Sequence, residues 1–544
     1  MLTCKTQKIS MVIFVIILSL AVLGLCQQSP SIELIENYNS WGWDTTYVMT
    51  NDLITLSTVP DIGARIMEYN LNEHPSIYVN ENEFGNTYTP SSSGFFYPNF
   101  GGFKNWPAPQ AEWDGSQWPP PPTLDYGHYE AVTDTSIDSV SLTVTSPIEQ
   151  WRAPDIQFQR RTTIYKNSSR VKVEQTIINT GSSAKQWSVW DITQSITQHG
   201  TSADYDNFWV YFPINPESQY GESGVETGGA SDAWVGEVAP GIYGVKYKPD
   251  QLKLFADPHL GWICYVDELE GYAYAKTFPV FEGADYPDDG ARIAVWVQNS
   301  PKYMEVEVMS PIVDLPASGG SYTFTEDWWA AKVDGPIISV TNAGAVKSFQ
   351  YDFETDHFTG EFGVFHAGSA QLEFTDSLGI VLDSSSIYSV TPLETFTLND
   401  STTVPENADS VRIILKNSDG NEIGILASES LQKMTTGIDI KKNSNPINML
   451  LNQNYPNPFN PSTTIRYSVK TQNLVETQNL ASQQIELSIY NLLGQKVATL
   501  VNTKQPAGSY EVVWNASGFA SGIYLYKLTG DNGFTETKKL VLLK

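Results

Sequence analysis

The chain has 544 residues, of which 41% are apolar and 17% are charged, and its net charge is −29 at pH 7. This composition excludes an intrinsically disordered protein, a collagen, a coiled coil and a polytopic membrane protein. An acidic surface repels phosphate backbones, so nucleic acid is not expected among the partners.

The first 26 residues have the pattern of a signal peptide. Two lysines precede the apolar stretch 11–25, which is shorter than the about 20 residues that a membrane-spanning helix needs. We expect cleavage after Cys26, which would leave Cys264 as the only cysteine of the exported chain and no internal disulfide. The alternatives are lipidation of Cys26 and an uncleaved anchor.

Alternation of apolar and polar residues with a period of two recurs along the chain. Residues 140–144 and 304–308 show it, as expected for strands that bury one face. Clusters of Gly, Pro, Asn, Asp and Ser separate such runs, and no long stretch has helical periodicity. The sequence therefore predicts a nearly all-β protein built from sandwiches.

The tryptophans mark the domain boundaries, because fourteen of the fifteen lie between Trp41 and Trp329. We therefore predict one large aromatic-rich domain at 27–335, then an immunoglobulin-like β-sandwich at 340–430. Residues 431–449 are polar and indicate a linker. Residues 450–544 form the last domain. Residues 27–448 carry a net charge of −34, whereas 449–544 carry eight basic and five acidic residues.

Three motifs follow one another in the last domain. They read NQNYPNPFNPSTTIRYS at 452–468, IELSIYNLLGQKVATL at 485–500 and PAGSYEVVWNASGFASGIYLYKL at 506–528. Together they resemble the C-terminal sorting domain of type IX secretion system cargo. The resemblance implies a small seven-stranded β-sandwich recognised by the outer-membrane secretion machinery. It places the protein outside the cell or on the outer-membrane surface, reached through the periplasm. An ordinary structural sandwich is the alternative.

Two segments of the large domain, YVMTNDLITLSTVPDIGARIMEYNL at 47–71 and YMEVEVMSPIVDLPASGGSYTFTEDWW at 303–329, resemble the galactose-mutarotase-like β-supersandwich. The blocks GGFKNWPAPQ at 101–110 and WPPPP at 118–122 resemble an uncharacterised bacterial family of that fold. The resemblance covers about residues 35–335. The histidine acid and glutamate base of mutarotases match no particular residue here, so the resemblance does not carry epimerase activity over.

The segment 98–122 is a candidate carbohydrate-binding loop. It holds seven prolines and the tryptophans Trp106, Trp113 and Trp118. Proline orders a chain before it binds, and indole faces stack on sugar rings. Lys104 and Gln110 can hydrogen-bond hydroxyls or a uronate. We expect the loops from Gly101 to Tyr129 to rim the open face of the large sandwich; the alternative is that the tryptophans pack inward.

Four further residues are candidates for chemistry. His128 is the best-placed acid or base by sequence, unless it is a surface or packing histidine. Glu305 and Glu307 share one strand face, where they could abstract a proton, bind a cation or simply meet solvent. Arg65, in the tight turn Gly63-Ala64-Arg65, could pair with a substrate carboxylate or with a structural aspartate.

No cofactor or metal site is predicted. The six histidines have no metal-ligand spacing, which argues against zinc. The acidic loops 204–207 and 285–289 offer oxygen ligands for Ca²⁺, but neither has the spacing of a calcium loop.

Three functions fit these observations: a secreted carbohydrate-binding or carbohydrate-active protein, a non-catalytic surface or adhesion protein, and a polysaccharide lyase or hydrolase. The fold alone does not choose among them.

Overall fold

The computed structural model describes residues 29–91, 96–114, 117–199, 207–221, 223–228 and 235–431, and in the C-terminal part 450–451, 454, 457, 459–469, 483–491, 495–505, 508–530 and 534–542. The predicted signal peptide and, apart from Leu431, the predicted linker 431–449 lie outside these ranges. The described residues up to Leu431 form one compact unit and those from Leu450 form a second. Among these ranges, no helix has the length and apolarity to cross a membrane.

The described residues up to Lys332 form 22 strands. In chain order they are β1 Ser31–Ile35, β2 Thr46–Thr50, β3 Ile54–Val59, β4 Arg65–Leu71, β5 His74–Pro75, β6 Phe103–Ala108, β7 Glu130–Thr135, β8 Ser139–Thr145, β9 Ile156–Tyr165, β10 Val171–Asn179, β11 Lys185–Ser195, β12 Phe208–Pro213, β13 Val225–Gly228, β14 Val235–Ala239, β15 Ile242–Lys246, β16 Leu252–Ala256, β17 Trp262–Asp267, β18 Tyr272–Thr277, β19 Ile293–Gln298, β20 Tyr303–Met309, β21 Val313–Leu315 and β22 Gly320–Lys332. The helical elements are α1 Pro122–Tyr126, α2 Pro287–Gly290 and the 3-10 turns Tyr38–Ser40, Pro60–Ile62, Glu81–Glu83 and Gln110–Glu112.

These strands form two large antiparallel sheets. One has twelve strands in the order β1-β2-β3-β4-β6-β11-β20-β19-β16-β13, with β5 beside β4 and β21 beside β11. The other has ten strands in the order β14-β15-β12-β17-β18-β22-β10-β9-β8-β7. Strand β10 alternates buried and half-buried residues along its whole length. The apolar side chains of both sheets meet in one extended core, which confirms the all-β sandwich expected from the period-two pattern.

A small group of charged side chains lies inside that core. Lys276 and Asp191 are fully buried, and the Lys276 ammonium is 2.6 Å from Asp191 Oδ1 and 3.0 Å from the Val306 carbonyl. Glu326 lies beside them and accepts a hydrogen bond from Trp328 Nε1 at 2.6 Å. Burial, and next the charge of Asp191, raise the pKa of Glu326 well above its ordinary value. Glu326 therefore keeps its proton in the folded protein over a range where a free glutamate loses it.

The protonated state of Glu326 predicts a pH dependence of stability. Above the ordinary glutamate pKa of 4.5, the unfolded chain loses a proton that the folded chain keeps. Stability therefore falls as pH rises, by at most about 1.4 kcal/mol per pH unit from this group. Glu326→Gln removes this titration, so its stability relative to the wild type should rise with pH. Urea unfolding of both proteins between about pH 5 and 8 measures this difference, and a constant difference would contradict it.

The second sandwich follows directly on β22. Its strands are β23 Ser339–Val340, β24 Gly344–Asp352, β25 His357–Val364, β26 Gly368–Thr375, β27 Val381–Ser384, β28 Tyr388–Val390, β29 Phe396–Ser401, β30 Ser410–Asn417 and β31 Glu422–Ser430. They form the sheets β23-β24-β25-β29 and β27-β26-β30-β31, with β28 beside β26. Phe365 stacks on Trp329 at 5.1 Å between ring centroids, and its carbonyl accepts a hydrogen bond from Ser169 N at 3.0 Å. This sandwich therefore packs on the ten-stranded sheet.

The C-terminal unit contains seven strands within its described residues. They are β32 Leu450–Leu451, β33 Ser462–Val469, β34 Gln483–Asn491, β35 Lys496–Gln505, β36 Gly508–Asn515, β37 Gly522–Gly530 and β38 Thr535–Leu542. They pair in the sheets β32-β33-β36 and β35-β34-β37-β38. Trp514, Tyr526 and Ile465 are buried in a separate core of this unit. The predicted small C-terminal β-sandwich is thus confirmed.

Candidate functional site

One face of the twelve-stranded sheet carries a cleft. Side chains alternate across a sheet, and the strand register aligns Trp106 on β6 with Trp190 on β11, Gln194 on β11 with Glu305 on β20, and Glu305 with Trp296 on β19. Neighbouring strands therefore present these residues on one face. The cleft has a volume of about 570 Å³ and is lined by Tyr97, Asn99, Trp106, Gln110, Trp118, Trp190, Gln251, Lys253, Phe255, Asp288, Trp296, Gln298, Pro301, Tyr303 and Glu305.

The predicted tryptophans differ in their exposure. Trp118 is 50% exposed, whereas Trp106 and Trp113 are each 4% exposed. Trp106 makes edge contacts with Trp113 at 5.7 Å, with Trp118 at 6.1 Å and with Trp190 at 5.4 Å. Trp113 lies behind Trp106 and does not line the cleft. Both interpretations of the tryptophans therefore apply: Trp118 is displayed in the cleft, Trp106 lines the cleft but is nearly buried, and Trp113 belongs to the packing beneath it.

The expected proline-rich loop is partly a strand. Residues 103–108 form β6, a fully buried strand inside the large sheet. The carbonyl of Pro107 accepts a hydrogen bond from Trp113 Nε1 at 2.9 Å, and its strand partner Val189 donates its N–H to Ser310 Oγ at 2.9 Å. Side chains thus satisfy the backbone groups at this position, which explains how proline, lacking an N–H, occupies a central strand. Both parts of the segment line the cleft, through Asn99, Trp106, Gln110 and Trp118.

Glu305 lies at the floor of the cleft in a network of hydrogen bonds. Its Oε1 is 3.2 Å from the Lys104 ammonium and 3.0 Å from Gln194 Nε2. Lys104 also donates to the Tyr97 hydroxyl at 3.1 Å and lies over the Trp106 ring at 4.8 Å. Burial alone would raise the pKa of Glu305, but Lys104, Lys253 and the Gln194 hydrogen bond hold that pKa below its ordinary value. Glu305 is therefore an ionised carboxylate facing the cleft.

Glu307 lies deeper on the same strand face. The Lys253 ammonium is 2.7 Å from both of its carboxylate oxygens, and Trp190 Nε1 donates to Oε2 at 2.8 Å. Burial raises the pKa of Glu307, against the attraction of Lys253, and the charge of Glu305 adds to the rise. The side chain is fully buried, so the alternative of a solvated outer face does not hold for it. Glu307 holds Lys253 and Trp190 in place at the cleft wall.

The lowered pKa of Glu305 determines whether its side chain is better suited to abstract a proton or to accept hydrogen bonds. A carboxylate with a low pKa is a weak base, because proton abstraction is most efficient when the pKa lies near the working pH. The same ionised carboxylate is a strong hydrogen-bond acceptor for hydroxyl groups. An ionised Glu305 is therefore better suited to accept hydrogen bonds than to abstract a proton.

Arg65 does not reach the cleft. Its side chain is fully buried, with Nη2 2.8 Å from Asp125 Oδ1 and Nη1 2.9 Å from the Gly101 carbonyl. The turn before it needs a glycine: Gly63 has φ +75°, and a Cβ there would lie 2.2 Å from the Asp125 carbonyl oxygen. The sequence left two partners open for Arg65, a substrate carboxylate and a structural aspartate, and Arg65 pairs with the aspartate.

His128 lies outside the cleft, just after α1. Its side chain is 58% exposed, and Nδ1 is 2.7 Å from Asp61 Oδ1 in the Pro60–Ile62 turn. Asp61 in turn accepts a hydrogen bond from Thr45 Oγ1 at 2.5 Å. The structure thus does not bring His128 together with Glu305 and Glu307.

The two acidic loops have different positions. Asp204 and Asp206 lie outside the described residues. In the other loop Asp288 lines the cleft, and its carbonyl accepts a hydrogen bond from the Tyr220 hydroxyl at 2.6 Å.

Several cleft residues were not singled out from the sequence: Tyr97, Trp190, Lys253, Trp296 and Tyr303. A signal was present in β16 and β19, where the aromatic residues Phe255 and Trp296 occupy the face that would otherwise be polar in an alternating strand. Only the register of β16, β19 and β20 shows that these residues lie on the same face as Glu305.

Solved structures similar to this chain include galactose mutarotase-like proteins. One from Clostridium acetobutylicum is 10% identical, with 56% of this chain and 99% of that chain covered and a TM-score of 0.36. One from Lactobacillus casei is 10% identical, with coverage of 55% and 100% and a TM-score of 0.35. A putative aldose 1-epimerase from Klebsiella pneumoniae is 11% identical, with coverage of 56% and 84% and a TM-score of 0.35. A search of curated protein sequences gives no match.

The C-terminal unit has a family match of its own. Residues 453–543 match the model of the secretion system C-terminal sorting domain. This range spans nearly all of the predicted last domain, and it contains the three motifs on which the resemblance was based, except for the first residue of the first motif. The match confirms a type IX secretion sorting domain in the C-terminal unit, and this domain indicates a secreted or outer-membrane-surface location.

Proposed function

We propose that this exported protein binds carbohydrate in the cleft of its large sandwich. The observation that carries the proposal is the half-exposed Trp118 at the rim of a cleft that is lined by further aromatic rings, by several polar side chains and by the ionised carboxylate of Glu305. An exposed indole is costly in water and offers the flat face on which sugar rings stack. Fixed polar groups beside it supply the hydrogen bonds that hydroxyls require.

The side chains have distinct proposed roles. Trp118 and Trp296 stack on the saccharide, and Gln110 and Glu305 hydrogen-bond its hydroxyls. Lys104 and Glu307 are positioning residues, because each holds a neighbour that lines the cleft. Trp106 and Trp113 support Trp118 from below. Arg65 and His128 take no part in binding.

The domain division gives each part a separate task in this proposal. The large sandwich at 27–335 binds the ligand, the sandwich at 340–430 is a spacer, and 450–544 directs export. The strongly acidic charge of residues 27–448 favours neutral over polyanionic glycans, since a polyuronate would be repelled at long range.

A catalytic role is the second candidate, supported by the pair Glu305 and Glu307. Two carboxylates whose pKa values are displaced in opposite directions are typical of acid and base assignments in lyases and hydrolases. Lys253 engages both oxygens of Glu307 at 2.7 Å, however, which leaves that group poorly placed to deliver a proton. Binding without turnover is therefore the function we favour.

Trp118→Ala tests the binding site. Removing a stacking indole should weaken glycan affinity by about 1–3 kcal/mol, which is roughly a 5- to 150-fold rise in Kd. Because the side chain is half-exposed, stability should fall by less than about 1 kcal/mol. The purified protein is screened against neutral plant and algal polysaccharides, and each incubation is also scored for new reducing or unsaturated ends.

Phe353→Ala is the matched control. Phe353 is 38% exposed and lies between β24 and β25 of the second sandwich, so its loss should leave glycan binding unchanged. A Trp118→Ala protein that folds and binds every glycan like the wild type would refute the proposed site. New reducing or unsaturated ends that disappear in Glu305→Gln would instead favour the catalytic candidate.

A further inference from the structure

Two histidines and two carboxylates from distant parts of the chain meet away from the cleft. His74 begins β5, His199 follows β11, Asp267 ends β17, and Glu270 lies in the turn before β18. One donor atom from each of the four lies within 4.8 Å of the other three. None of them lines the cleft. The spacing of the histidines in the sequence does not indicate this cluster, because its four residues come from separate parts of the fold.

The two imidazoles converge on one oxygen atom. Asp267 Oδ2 is 3.0 Å from His74 Nε2 and 2.5 Å from His199 Nε2. The other oxygen of Asp267 accepts the backbone N–H groups of Leu269 and Glu270, at 3.1 and 3.3 Å. The turn thus fixes the carboxylate so that Oδ2 points at the histidines. Tyr272 stacks on the His74 ring at 3.9 Å and fixes its orientation as well.

The atoms that face one another in this cluster include more hydrogen-bond acceptors than donors. If His199 donates from Nε2 to Asp267, the lone pair of its neutral Nδ1 lies 3.8 Å from the carboxylate of Glu270. Lone pairs of imidazole and carboxylate that face one another repel, and a cation placed among them removes the repulsion.

We propose that His74, His199, Asp267 and Glu270 form a zinc site that pins the segment after β11 to the β17–β18 turn. Imidazole and carboxylate together suit Zn²⁺, whose bonds to nitrogen and oxygen of about 2.0–2.2 Å place tetrahedral ligands about 3.4 Å apart. The separations of His74 Nε2 from Asp267 Oδ2 and from the Glu270 carboxylate, 3.0 and 3.7 Å, bracket this spacing, and His199 would contribute one of its two nitrogens. All four protein ligands would be engaged, as in structural rather than catalytic zinc sites.

Zinc binding to the untagged, chelator-treated protein tests the proposal. We expect one Zn²⁺ per chain by isothermal titration and elemental analysis at pH 7.5, and a rise of several degrees in Tm when Zn²⁺ is added. His199→Gln and Glu270→Gln should each weaken zinc binding at least about tenfold. Their side chains are 25% and 49% exposed, so both variants should fold even where replacing the buried His74 would not.

His128→Gln is the control, because His128 also contacts an aspartate, at 2.7 Å, but belongs to no group of three or more metal-ligating side chains among the described residues. It should bind zinc like the wild type. Failure of the wild type to bind Zn²⁺, or equal zinc binding by the wild type, His199→Gln and Glu270→Gln, would overturn the proposal. So would a Tm that does not change between chelator and Zn²⁺.

Discussion

Replacing Arg65 with leucine is expected to lower the free energy of unfolding of the N-terminal unit by about 3–5 kcal/mol, because it leaves a buried carboxylate without its counter-charge. Asp125 is fully buried and lies 2.8 Å from the guanidinium. The same Asp125 oxygen accepts a hydrogen bond from Trp106 Nε1 at 2.9 Å. The loss should therefore extend from the Gly63 turn to the tryptophans beneath the cleft. Tryptophan fluorescence in urea measures it, since Trp514 is the only tryptophan outside this unit.

Asp134→Asn provides the comparison for Arg65→Leu. Asp134 pairs with Arg161 at 3.1 Å, but the two side chains are 76% and 47% exposed. Exposed ion pairs contribute about 0–1 kcal/mol, so this variant should barely change stability. Adding Asp125→Leu to Arg65→Leu should recover part of the loss, because the orphaned charge is then gone. A loss for Arg65→Leu no larger than that for Asp134→Asn would contradict a structural role for the pair.

The sequence predicted the all-β fold class and the sorting domain correctly, because both are indicated by residues that are close together in the chain. Alternating residues such as those of β10 depend only on which face of a strand is buried, so the all-β architecture followed from them. The sorting domain was found because its motifs are contiguous in the chain. Both kinds of signal lie within a few tens of residues.

The cleft and the histidine cluster could not be found in this way. Trp296 and Glu305 face the same cleft only because of the register of β19 and β20. His74 and Asp267 meet although they are 193 positions apart in the chain. The run of prolines suggested a loop at 98–122, but β6 forms there because Trp113 and Ser310 satisfy the backbone groups around Pro107. Such partners are distant in sequence and follow from the assembled sheets.

Deleting residues 450–544 is expected to abolish delivery to the cell surface and medium and to retain the protein in the periplasm. The deleted residues contain the sorting domain at 453–543. They have a hydrophobic core of their own, separate from the cores of the N-terminal unit, so the deletion leaves those cores complete. Fractionation of a bacterium with a type IX system measures the location, and limited proteolysis of the retained protein shows whether it is folded.

Substitutions at two neighbouring residues of β36 test whether the secretion machinery recognises the folded sorting domain or only its sequence. Trp514 is 3% exposed in the core of the C-terminal unit, whereas Val513 is 59% exposed on the opposite face of the strand. Trp514→Ala should cost about 3–5 kcal/mol of the unit's stability and retain the protein as the deletion does. Val513→Thr should be exported normally, because it leaves the core intact. Delivery of the truncated protein at the wild-type level would contradict the role of the tail. If the truncated protein is retained but Trp514→Ala is delivered, the machinery recognises the extended sequence and not its folded sandwich.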